Sequence, residues 1–189
     1  MKMTSFAIAG SLILCAGTAF AQVHKGDWEV SVLGSVNSGW VTSGDISTSS
    51  LKVYTGGAGL GYFLNDHWEL DGNAIIMGAV GGGANLNLFQ LTLGGNYNFN
   101  IERLLPFTEG KTVPYIGAGL GGFIAGGGVS DGSSDSDHYG AIMGEGHVGV
   151  REFLSQDVSL NFQVGYEYLP LEGASLNEVT ANLGLSFYF

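Results

Sequence analysis

Eight stretches of this chain alternate apolar residues with small or polar ones, and no other feature limits its fold so tightly. A period of two sends successive side chains to opposite faces of an extended strand. The last stretch, ANLGLSFYF, puts Leu183, Leu185, Phe187 and Phe189 on one face and Asn182, Gly184 and Ser186 on the other. The alternation continues to an aromatic final residue. In water such an apolar end would fray and invite aggregation. Hydrocarbon is the solvent that would favour it.

The other seven stretches repeat the pattern. Residues 27–38 set Trp28, Val30, Val32, Gly34 and Val36 against Glu29, Ser31, Leu33, Ser35 and Asn37. Residues 53–64 set Ala58, Leu60, Tyr62 and Leu64 against glycines, and Asn65-Asp66 then makes a tight turn. In residues 67–78, Trp68, Leu70, Ala74 and Ile76 oppose Glu69, Asp71 and Asn73. In residues 88–99, Phe89, Leu91, Leu93, Tyr97 and Phe99 oppose Gln90, Thr92, Asn96 and Asn98. Residues 113–124 oppose Ile116, Ala118, Leu120 and Ile124 to Tyr115, three glycines and Phe123. Residues 139–153 oppose Ile142, Val148 and Val150 to Met143, Glu145, His147 and Arg151. Residues 158–168 oppose Val158, Leu160, Phe162, Val164, Tyr166 and Tyr168 to Ser159, Asn161, Gln163, Gly165 and Glu167.

Each of the eight segments is about as long as a tilted transmembrane strand, which needs roughly 9–11 residues. An even count suits a closed antiparallel barrel. A β-sandwich also alternates, but its exposed face carries many lysines and glutamates. Here the second face is Gly, Ser, Asn, Thr and Gln, which suits the narrow hydrated interior of an eight-stranded barrel. Connections are expected to be short after the second and sixth strands and longer after the first, third, fifth and seventh. Residues 100–112, after the fourth, break that rule. Rings gather near the strand ends, Trp28, Tyr62, Trp68, Tyr97, Phe99, Phe153 and Phe189 at one rim and Tyr54, Phe89, Tyr139, Tyr166 and Tyr168 at the other. Two such belts mark the headgroup regions of a bilayer.

The chain begins MKMTSFAIAGSLILCAGTAFAQ, with a lysine, a short apolar core and an Ala19-Phe20-Ala21 cleavage motif. That is the pattern of a cleavable signal peptide, residues 1–21, leaving residues 22–189 as one barrel domain. Leu14 stands before Cys15 where a lipoprotein site needs a small residue. Cys15 is the sole cysteine, so the exported chain is expected to lack disulfide and thiol chemistry. All 17 acids and 5 of the 6 bases follow the cleavage site, a net charge of −12 that argues against a nucleic-acid partner.

Glu29, Glu69, Asp71, Glu145, His147, Arg151 and Glu167 fall on the inward face, where buried charges need partners; Arg151 is expected near the depth of Glu29, Glu69 and Asp71, and an interior ion-pair network is expected. No serine, histidine and acid converge on one outward spot, so no enzyme is expected. The loop SDGSSDSDHY offers Asp131, Asp135 and Asp137 as weak divalent-ion ligands, but it lacks the central glycine and distal glutamate of a calcium loop. A solvated surface loop is the plainer reading. The runs GGAGLG and GAGLGG lie in strands with no following Lys-Ser/Thr, so they are not phosphate loops and no cofactor is expected.

The export signal, the eight strands, the segments VPYIGAGLGG and LGYFLNDHWEL and the terminal aromatic together resemble the small outer-membrane β-barrel proteins of Gram-negative bacteria, the OmpA transmembrane-domain, OmpX and OmpW-like group. The resemblance implies an all-β, eight-stranded antiparallel up-and-down barrel in the outer membrane with both termini periplasmic. It implies lipid and lipopolysaccharide as surroundings, and barrel-assembly machinery and periplasmic chaperones as partners in biogenesis. Leu183, Leu185, Phe187 and Phe189 are similar to the signal that this machinery reads. The function expected is structural or surface-interacting, with a surface ligand met by the outer loops; the alternative is a narrow channel for small, apolar solutes.

Overall fold

The computed structural model describes residues 24–43, 46–81, 84–99, 112–128, 138–171 and 174–189. Eight strands follow in chain order: β1 (Trp28–Ser43), β2 (Ile46–Phe63), β3 (Trp68–Gly81), β4 (Ala84–Asn98), β5 (Thr112–Gly128), β6 (His138–Phe153), β7 (Val158–Leu171) and β8 (Ala174–Tyr188). Each pairs antiparallel with the next, and β8 pairs with β1, closing an up-and-down barrel. Closure leaves no edge strand with unpaired backbone groups. The signal-peptide residues 1–21 lie outside the described residues.

The registers fix the stagger. A path of directly paired residues starts at Glu29 and runs through Gly61, Asp71, Gly94, Gly119, Glu145, Glu167 and Glu178. It returns to β1 at Gly39, ten residues beyond its start (39 − 29). Closing with such an offset tilts the strands by roughly 35–45° and leaves an interior just wide enough for side chains.

That geometry explains the alternation. Val32, Leu60, Leu93, Leu120, Ile142, Phe162 and Leu183 point outward and are exposed, Leu120 at 71%. Ser31, Glu69, Gln90, Thr92, Asn96, Asn161, Thr180 and Ser186 point inward and are buried. A water-soluble sheet protein would bury the first set; this fold hides its polar groups and displays its apolar ones.

The start of β1 and the end of the chain share one end of the barrel, where Trp28 and Phe189 exchange backbone hydrogen bonds of 3.1 and 3.0 Å. Gly26, with φ of 96°, turns the chain so that its N–H reaches Phe63 O at 2.8 Å before β1 starts. Two tight turns close this end. In the first, the Asn65 side-chain oxygen accepts from the backbone N–H groups of His67 and Trp68, each at 2.9 Å. In the second, Leu154 N–H donates to Val158 O at 2.9 Å. Outward rings run round the same rim: Trp28 against Tyr62 at 4.8 Å, Trp68 against Tyr97 at 5.1 Å, and Tyr97 against Phe99 at 5.1 Å between centroids.

Two expectations need correction. Phe153 is not part of the rim belt; it is inward-facing and buried. Its place in β6 has the parity of Arg151, and both point to the lumen. Long connections are also absent after β1, β3 and β7, where residues 44–45, 82–83 and 172–173 alone separate paired strands. The polar stretches taken for loops continue the ladders instead, to Ser43↔Ile46, Gly81↔Ala84 and Leu171↔Ala174. A barrel ladder needs backbone pairing rather than apolar side chains, so loss of the alternation did not mark the strand ends. The side chains of Tyr54 and Tyr139 lie outside the described ones; on the far end Trp40 packs on Tyr166 at 6.3 Å.

Candidate functional site in the barrel lumen

The lumen is filled in layers from the terminal end upward. Phe63, Val113, Phe153 and Tyr188 form a buried apolar plug across its floor. Tyr188 meets Phe153 at 5.1 Å and Phe63 at 6.2 Å, and its hydroxyl shares a 2.8 Å hydrogen bond with Ser159.

Above the plug stands Arg151, supplied by the last turn of inward positions on β6. One of its terminal nitrogens, Nη2, lies 2.6 Å from Glu69 Oε2 and 3.3 Å from Glu29 Oε2. Nη1 donates to Asn98 Oδ1 at 2.5 Å. The guanidinium carbon Cζ also sits over the Tyr115 ring, 4.5 Å from its centre. A planar cation that bonds two carboxylates and stacks on a ring uses the geometry of arginine, which lysine lacks. Ser186 donates to Glu29 Oε1 at 2.5 Å, and Asn161 to the same oxygen at 3.4 Å. Asn161 also bonds Ser186 and Ser159.

Asn96 links this layer to the next. Its amide donates to Glu69 Oε2 at 3.0 Å, so its oxygen faces the other way and lies 2.7 Å from His147 Nε2. Nε2 of His147 therefore carries a proton, and Nδ1 has no hydrogen-bond partner. Nδ1 faces Glu145 Oε1 at 3.8 Å, beyond hydrogen-bond reach. Room for the imidazole comes from Gly117: a Cβ there would collide with the His147 ring and with Asn96 Oδ1.

The acids expected around one arginine divide into two groups. Glu29 and Glu69 pair with Arg151. Asp71 instead accepts from Asn73 at 2.8 Å, Glu145 faces His147, and Glu167 accepts from Gln90 at 3.3 Å across the lumen. Sequence reasoning placed the neutral amides Asn96, Asn98, Asn161 and Gln90 on the inward face but did not assign them to the charged network. It overlooked Glu178, which lies directly opposite Glu167 and takes a side-chain hydrogen bond from Asn37.

An interior cavity of about 30 Å³ lies between Glu29, Asp71, Asn96, Arg151 and Gln163, space for roughly one or two waters. The described contacts of the His147 ring are Asn96, Glu145 and Tyr115, which do not make a nucleophile–base pair. Asp131, Asp135 and Asp137 lie outside the described residues. Leu183, Leu185, Phe187 and Phe189 stand on the outer face of β8 and its end, Phe189 at 77% exposure.

Residues 6–189 match the family described as "Outer membrane protein beta-barrel domain". No curated protein matches the sequence. Among solved structures, the chain is similar to Neisserial surface protein A (NspA), with 17% identity, a TM-score of 0.65 and coverage of 87% of this chain and 100% of that one. It is similar to the N-terminal β-barrel domain of Pseudomonas aeruginosa OprF, with 19% identity, a TM-score of 0.58 and coverage of 88% and 100%. It is also similar to Ail, the attachment invasion locus protein of Yersinia pestis, in complex with the heparin analogue sucrose octasulfate, with 16% identity, a TM-score of 0.51 and coverage of 87% and 99%.

Proposed function

The chain belongs to the outer-membrane protein β-barrel domain family, and from that premise we propose that it serves the bacterial outer membrane as a sealed, non-enzymatic structural and surface-interaction protein. The outward residues from Val32 to Leu183 face acyl chains. Both termini and the two tight turns lie on the periplasmic side, and the opposite end meets lipopolysaccharide and the surroundings of the cell. Barrel-assembly machinery and periplasmic chaperones act on it during biogenesis, with the terminal stripe ending in Phe189 as the assembly signal.

One observation carries the sealed reading: the plug of Phe63, Val113, Phe153 and Tyr188 lies under the Arg151 layer, and the cavity above it measures only about 30 Å³. Ions do not pass a packed floor of this kind without its displacement. Surface interaction is supported by the likeness to Ail, whose structure was solved with a heparin analogue bound. Recording from refolded protein in planar bilayers tests the proposal. It predicts no steady unitary current; reproducible unitary steps would instead favour a narrow channel for small solutes.

A further inference from the structure

The three inward acids Glu145, Glu167 and Glu178 occupy directly opposed positions on β6, β7 and β8. Like charges placed opposite each other across strands destabilise a sheet. Their path through the registers continues on either side with Gly119 and Gly39, so it brings no base to them. Arg151, the base among the described interior residues, is already engaged by Glu29 and Glu69. Buried acids in a bilayer protein either stay protonated or take a counter-charge.

A second, independent feature points into the same place. His147 is 94% buried, and its Nδ1 has no hydrogen-bond partner. The chain from Glu69 through Asn96 holds a proton on Nε2, so in the neutral imidazole Nδ1 offers a lone pair toward the Glu145 carboxylate. A lone pair facing an anion at 3.8 Å is unfavourable unless something positive lies between them. An imidazole whose other nitrogen donates to a fixed oxygen is the arrangement that orients a metal-binding histidine.

We propose that His147 Nδ1 and Glu145 Oε1 bind a divalent first-row transition-metal ion in the lumen, with Glu167 as the nearby acid that balances its charge. Two atoms 3.8 Å apart can each stand ~2.1 Å from one ion at an angle of about 130°, and a shift of a few tenths of an ångström closes this toward the tetrahedral value. Among the described residues no three such side chains already converge on one point, so the ion keeps part of its water shell. A mixed imidazole and carboxylate pair favours zinc- or manganese-like ions over calcium or magnesium. The proposal is independent of whether the lumen conducts.

The test is equilibrium dialysis of the refolded barrel in detergent against Zn²⁺, with imidazole ¹⁵N spectra taken in parallel. The expected result is about one equivalent bound, at least tenfold weaker in Glu145→Gln and several-fold weaker in Glu167→Gln. In the unmutated protein, Zn²⁺ should move the His147 Nδ1 resonance while Nε2 stays protonated. That spectrum decides the matter even if a variant does not refold. The proposal is overturned by absent binding, by binding unchanged in both variants, which assigns the ion to exposed histidines, or by a His147 Nδ1 resonance indifferent to Zn²⁺.

Discussion

Arg151 Nη2 and Glu69 Oε2 stand 2.6 Å apart in a layer next to the buried cluster of Phe63, Val113, Phe153 and Tyr188. Glu29 shares the same nitrogen at 3.3 Å, and Asn98 and Tyr115 complete the surroundings of the guanidinium. Two acids and one base in this confined space make each partner dependent on the others.

Removal of the base should therefore be costly. Arg151→Ala leaves Glu29 and Glu69 buried without a cation, and a loss of about 3–5 kcal/mol is expected for breaking such a pair. Arg151→Lys keeps the charge but forfeits the Asn98 bond and the stack on Tyr115, and should fall between. Urea unfolding in lipid vesicles, followed by tryptophan fluorescence, measures both. Unchanged stability of Arg151→Ala would contradict a stabilising network.

The Tyr115 ring has its own sequence requirement on the neighbouring strand. A Cβ at Gly149 would stand 2.7 Å from Tyr115 Cε1, too close for any real contact, whereas one at Gly146 would meet nothing within 4 Å. Gly149→Ala should push the ring off Arg151 and cost about 1–3 kcal/mol. Gly146→Ala, on the outward face, should be nearly neutral in the same unfolding assay.

The assembly role proposed for Phe189 can be tested apart from stability. Phe189 is 77% exposed and joins the barrel through its backbone bonds with Trp28. Deleting it should leave refolding from urea nearly complete, because the β8–β1 ladder persists from Glu29↔Tyr188 upward. In cells the same deletion should sharply lower the amount in the outer membrane, measured by fractionation and immunoblot. Equal amounts with and without Phe189 would remove its role as an assembly signal.

The alternation made the strands, their faces and their number legible, because burial on only one side of a sheet writes a period of two into the residues. The upper strand ends were not legible. Pairing there runs through polar stretches, as at Ser38↔Lys52 and Thr42↔Ser47, where nothing in side-chain polarity marks the ladder. The inward acids were legible by parity, and strand direction put Arg151 near the depth of Glu29, Glu69 and Asp71, but the individual pairings were not legible. Which acid reaches Arg151 depends on the ten-residue stagger, and the sequence carries no sign of it. The stagger lifts Glu145 and Glu167 away from the arginine while bringing Glu69 to it. Phe153 was misjudged by counting it as a rim aromatic without applying the parity that its neighbour Arg151 already fixed.

The most direct test of the account concerns two adjacent residues of β5. Ile124 points outward and is 55% exposed, while Phe123, paired with buried Gln90, points inward. A chain beginning at Gln22 has no cysteine, so Ile124→Cys and Phe123→Cys each carry a single fluorescent label. In vesicles containing brominated acyl chains, strong quenching at 124 and weak quenching at 123 is predicted. Equal quenching at both, or none at 124, would contradict a barrel whose apolar face meets lipid and whose polar face is enclosed.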